Sequence, residues 1–105
     1  MLQFKEGVQL TVTKAINEIL YGVESVYRGF QVSCVVTSGT DGVHGKESKH
    51  YTGEALDFRI RDLKPDQRDT LVQSCKQVLG KGFDVVLESD HLHVEKDLHE
   101  RVTHV

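Results

Sequence analysis

The apolar residues of this chain switch between two periods, and that switching constrains the fold more than any other feature. From Leu10 to Tyr27 they recur at Val12, Ala15, Ile16, Ile19, Leu20, Val23, Val26 and Tyr27, with Lys14, Asn17, Glu18 and Glu24 on the other side. This is helical spacing, and Gly29 is placed to end the helix. QVSCVVTS, β-branched and apolar, then predicts a buried strand from Gln31 to Thr37. Period two returns at Glu54 to Ile60, where Ala55, Asp57 and Arg59 alternate with Leu56, Phe58 and Ile60. Pro65 and Asp66 open a second helix with one apolar stripe, Leu71, Val72, Cys75, Val78 and Leu79, and Gly80-Lys81-Gly82 closes it. FDVVLES, a turn near Ser89–Asp90, and HLHVE predict a hairpin, followed by the mostly polar KDLHERVTHV. The order helix, strand, loop, strand, helix, strand, strand predicts an α+β fold: a small, largely antiparallel sheet flanked by two helices.

Length and charge narrow the function classes. The 105 residues suit one domain spanning 1–105, and 38% hydrophobic residues without Trp supply a modest core that a bound metal would help to hold. The formal charge of −3 comes from intermixed acids and bases. It argues against a nucleic-acid partner, which would call for a basic face. MLQFKEGVQL lacks a basic stretch followed by an apolar one, and no apolar run approaches the roughly 20 residues that span a bilayer. The expectation is synthesis in the cytoplasm with no membrane insertion. Cys34 lies in an apolar run and Cys75 on an apolar helix face, so both read as buried small hydrophobes; there is no CxxC to form a thiolate zinc site.

Two stretches hold the chemistry. SKHYTGEALD, residues 48–57, places His50 at the end of a long polar loop that runs from Ser38 to Thr52, and Asp57 in the strand that follows. Loops of this length in compact domains are usually functional or disordered. Gly53 permits a sharp turn between the two, and Ala55, on the same strand face as Asp57, leaves space beside the carboxylate. In DHLHVE, residues two apart share a face, so His91, His93 and Glu95 point one way while Leu92 and Val94 point into the core. A solvated polar face would also suit an HxH pair. Taken with His50 and Asp57, however, His93 completes a set of two imidazoles and one carboxylate. Three protein ligands and one open position make the catalytic form of a zinc site.

The pattern Ser-x-His-x-x-Gly-x-Ala-x-Asp, here Ser48, His50, Gly53, Ala55 and Asp57, followed downstream by Asp-x-x-His, here Asp90 and His93, resembles two related groups. These are the zinc D-alanyl-D-alanine carboxypeptidases and the phage L-alanyl-D-glutamate endopeptidases, which share a fold with the hedgehog signalling domain. The resemblance covers about Val35 to Glu95 and implies a hedgehog/DD-peptidase-like fold. It implies a Zn2+ cofactor held by His50, Asp57 and His93, and Asp90 as the general base acting on the water that the metal activates. Because residues three apart face opposite ways in a regular strand, Asp90 and His93 can serve one site only if Asp90 lies in the hairpin turn. Glu88 is the weaker candidate base. Members commonly carry an Arg shortly after a Ser-Gly that follows the first core strand, where it stabilises an oxyanion. This chain has Ser38-Gly39-Thr40-Asp41-Gly42 instead, a variant that looks like those of small phage-encoded relatives. His44 is a candidate donor to substrate or oxyanion, and Lys46, Lys49 and Arg59 are candidate replacements for the missing charge. His91 reads as a second contact around the ligands, a substrate contact or an exposed residue. Ser48 reads as a brace for the loop or the ligands, and Tyr51 as a cleft residue or an ordinary half-buried Tyr. His99 and His104 receive no role.

The resemblance therefore implies a zinc metallopeptidase that hydrolyses peptidoglycan stem peptides, as a phage endolysin-like endopeptidase or a D,D-carboxypeptidase. Its partner would be the stem peptide, reached through a membrane lesion or as part of a virion. A second reading from another class is a non-catalytic zinc module of the same fold used for binding or assembly, favoured by the missing oxyanion Arg.

Overall fold

The computed structural model describes residues 1–39 and 54–96. Five strands form one sheet with two helices: β1 (Leu2–Phe4), α1 (Lys14–Gly29), β2 (Cys34–Ser38), β3 (Ala55–Arg59), α2 (Pro65–Leu79), β4 (Phe83–Leu87) and β5 (His91–Lys96). The strand order is β1-β2-β3-β5-β4. Every neighbouring pair is antiparallel except β1 with β2, where Leu2, Gln3 and Phe4 lie parallel against Cys34, Val35 and Val36. The fold is thus α+β with a small sheet and two helices, as the pattern predicts. The parallel β1 is an addition, because three exposed residues before the first helix carry no periodic signal.

Each helix starts and stops where its sequence dictates. The Thr13 hydroxyl accepts the Ile16 amide at 3.1 Å, capping α1 three residues inside the expected start. Pro65 occupies the first turn of α2, where its missing N–H costs nothing, and Gln67 accepts the Lys64 amide at 2.8 Å. Gly80, at φ +85°, ends α2 in a conformation that a side chain would strain.

Both helices cover one face of the sheet. Ile16, Ile19, Val23 and Tyr27 of α1 and Leu71 and Cys75 of α2 pack with Val36, Leu56, Phe58, Val85, Leu92 and Val94 into one core. Tyr27 ties α1 to the end of β3 by donating its hydroxyl to the Arg59 carbonyl at 2.7 Å, and burial raises its pKa. The alternation of β3 and β5 therefore divides their residues cleanly. Leu56, Phe58, Leu92 and Val94 enter the core, leaving Asp57, Arg59, His91, His93 and Glu95 on the opposite face. Cys34 and Cys75 are free and buried, as expected, and burial pushes both thiols up to about 12. Among the described residues no helix is long and apolar enough to cross a membrane.

Candidate metal centre

The register of β3 against β5 builds the site. Asp57 lies directly opposite His93, Arg59 opposite His91 and Ala55 opposite Glu95. Side chains that face each other across an antiparallel pair come within contact distance. Accordingly the His93 Nδ1 sits 2.8 Å from Asp57 Oδ1, and its Nε2 sits 2.9 Å from Glu95 Oε1. His93 is gripped by carboxylates at both ring nitrogens. The hydrogen bond to Asp57 raises its pKa, against the opposing pull of burial, and Glu95 adds to the rise.

Asp57 is 9% exposed and is the one charged residue buried among those described. Ala55 beside it, 1% exposed, presents only a methyl group, which leaves the Asp57 carboxylate room on that face. His91 completes a chain of contacts: its Nε2 stands 3.8 Å from Asp57 Oδ1, and its Nδ1 bonds Asp90 Oδ1 at 2.6 Å. Asp90 lies in the β4–β5 turn, which the Glu88 amide closes on the His91 carbonyl at 2.9 Å. It is therefore outside the regular pleat, where its carboxylate can turn to the site face, and its side chain is 84% exposed.

An open depression of about 470 Å³ adjoins these groups, lined by Asp57, Arg59, His91 and Asp90 together with Lys5 and Arg61. Thr37 also reaches it. Val36 pairs with Phe58 and Ser38 with Asp57, so Thr37 is an extra residue in β2, a bulge of the kind that re-aims a side chain. After it, Gly39 passes so close to another segment that an added Cβ would lie 2.4 Å from the Gln9 carbonyl oxygen. The Ser-Gly pair thus serves a backbone crossing.

The donor chemistry fits a zinc ion. An imidazole nitrogen and a carboxylate oxygen on one tetrahedral ion, each about 2.0–2.2 Å away, stand about 3.4 Å apart. Asp57 and His93 need open by only about half an ångström from their hydrogen-bonded separation to reach that spacing. Glu95, 2.9 Å from the far nitrogen of His93, stands where a carboxylate would orient that imidazole were a metal bound at Nδ1. Among the described residues Asp57 and His93 are the two expected ligands, and no group of three His, Cys, Asp or Glu side chains converges to hold a metal. His50, the third expected ligand, lies outside the described residues, as do Ser48, His44, Lys46, Lys49, Tyr51 and Gly53.

Three contributors were not assigned roles from the sequence. Glu95 had a legible signal, since the period of β5 places it beside His93. Lys5 had none, because it reaches the depression only through the parallel pairing of β1, which its amide extends by donating to the Val36 carbonyl at 2.9 Å. Arg61 lies two residues beyond the end of β3 and also lines the depression. No protein-family model matches the chain, and no curated protein does.

Proposed function

We propose that the protein is a zinc metallopeptidase acting on peptidoglycan stem peptides. The observation that carries this reading is the Asp57–His93 contact at 2.8 Å, with Glu95 holding the other nitrogen of His93. Two ligand types meet on an open sheet face, braced from behind and beside a depression large enough for a peptide segment. His50 is the third ligand of the proposal, supported by its spacing from Asp57 and by the resemblance of that stretch to zinc peptidases.

A zinc ion held by Asp57, His93 and the proposed third ligand would supply Lewis acidity, enough to bring the pKa of a bound water to about 7. The chain's own groups do the rest. Asp57 contributes a negative charge that offsets the cation, and Glu95 keeps the Nε2 proton of His93 so that Nδ1 is the free donor. Asp90 and His91, joined at 2.6 Å and facing the same depression, form the proton-accepting unit. Asp90 takes the proton from the attacking water and returns it to the departing amine. The bond between them makes the pair a single unit for proton transfer, so either member's loss lowers turnover.

A second reading, a non-catalytic zinc module, is favoured by the absence of Arg after Ser38-Gly39. Zinc content and digestion of purified peptidoglycan, compared between wild type and Asp90→Asn, separate the two. One zinc in both proteins, with new amino termini from wild type alone, is the expected result. One zinc in both and no cleavage by either, across several wall types, would move the assignment to the binding module.

A further inference from the structure

β4 is a free edge of the sheet, paired among the described residues with β5 alone. The opposite edge is guarded, since β1 has only three residues and Lys5 follows it. β4 lacks such protection. Its sequence, Phe83-Asp84-Val85-Val86-Leu87, is apolar apart from Asp84, contains no Lys or Pro, and runs against β5 in unbroken register. Val86 and Leu87 are exposed. The Glu88 amide donates to the His91 carbonyl, so by antiparallel alternation Val86 with His93 and Asp84 with Glu95 are also hydrogen-bonded pairs. The N–H groups of Val85 and Leu87, and the carbonyls of Phe83, Val85 and Leu87, therefore point away from the sheet. An edge of this kind is a template for another strand.

We propose that β4 pairs antiparallel with β4 of a second copy of this chain, about a two-fold axis at Val85, joining two sheets into one. The proposal is independent of the metallopeptidase reading. Self-complementarity selects both the partner and the register. Centred on Val85, the pair aligns all five residues, with Phe83 against the partner's Leu87 and Asp84 against the partner's Val86. Like charges directly opposite each other disfavour the neighbouring two-fold registers. One sets Asp84 against the partner's Asp84, and the other sets it against the partner's Glu88. The favoured register also brings Lys81, just before β4, beside the partner's Glu88. Lys76 and Lys81 line a depression of about 470 Å³ along β4 with Phe83, Asp84 and Val85. Among the described residues neither lysine is in an ion pair, nor is Glu88. The two ends of β4 thus carry opposite charge, and a two-fold axis sets each end against its complement. Directly opposed residues share a sheet face, so both copies turn Asp57 and His93 to the same side.

Sedimentation equilibrium of the full chain tests this, over roughly 10 µM to 1 mM because a contact built on one short strand pair binds weakly. The mass should rise toward that of two chains, and hydrogen exchange at the Val85 and Leu87 amides should slow as it does. Two substitutions of exposed Val86 should act with opposite sign. Val86→Asp sets an acid against the partner's Asp84 and should raise Kd roughly tenfold, since each cross-strand pair occurs twice in a two-fold interface. Val86→Lys sets a cation there and should lower Kd by a similar factor. Lys81→Glu should weaken association, and Lys81→Glu/Glu88→Lys should restore it. Circular dichroism checks that each variant keeps its fold. A single-chain mass at every concentration overturns the proposal, even if an extended peptide from another protein binds the edge. So does a dimer whose Kd is indifferent to both Val86 substitutions or moves the same way in each.

Discussion

His93 is the residue on which the proposed chemistry turns, because its two nitrogens have different tasks. His93→Ala should abolish stoichiometric zinc, read by metal analysis after gel filtration. Glu95→Gln should keep the fold but weaken zinc binding about 10–100-fold, the usual cost of losing the carboxylate behind a metal-binding imidazole. A Glu95→Gln protein with unaltered affinity would show that Glu95 is only a surface neighbour. The raised pKa of His93 also sets a pH dependence in the metal-free protein. Protonated His93 contributes its full stabilisation below its unfolded value of about 6.5, and that contribution is lost as pH rises through the higher folded value. Denaturant titrations across this window should show stability falling with pH for wild type and a flatter profile for His93→Gln. Zinc binding runs the other way over the same window, strengthening as pH rises, because the ion displaces the proton on Nδ1.

At the scale of the element, β3 and β5 each carry core and site on alternate residues, so one strand's packing sets the other's geometry. Phe58→Ala removes a fully buried ring between Asp57 and Arg59 and should cost about 3–5 kcal/mol in unfolding free energy. Because Phe58 reaches none of the site groups, a loss of zinc affinity in the folded variant would report strand displacement rather than lost chemistry. Helix α1 depends on a local signal, and Thr13→Ala should cost about 1 kcal/mol by thermal denaturation. This strand alternation, the start and end of α2 and the hairpin turn were legible in the sequence because each is a short-range effect: a period of two, a proline in a first turn, a glycine past a helix end. The apolar pattern places the start of α1 too early, at Leu10, since Leu10 and Val12 continue its spacing although Thr13 is the cap.

At the scale of the whole molecule, a small core is expected to gain stability from a bound metal. Zinc should raise the melting temperature with the logarithm of its free concentration once that exceeds the dissociation constant, and a chelator should lower it. A chain whose melting temperature is indifferent to both would have no metal centre in its folded state. Cys34 and Cys75, buried with thiols pushed up to about 12, should resist alkylation in the native protein and react on unfolding.

What the sequence by itself determined is local and periodic: which residues share a strand face, where α2 begins and ends, that the fold is α+β, and that His91, His93 and Glu95 point together. It also contained the candidate ligands, because their spacing is a short pattern along the chain. What only the tertiary structure decided is pairing. That β5 lies beside β3, in the register that sets His93 against Asp57, depends on contacts between residues 36 positions apart. That Lys5 joins Arg59 and Arg61 depends on β1 adding in parallel at the far edge of β2. Both follow from burying one face of the sheet under two helices, a demand of the assembled core that no short stretch of sequence expresses.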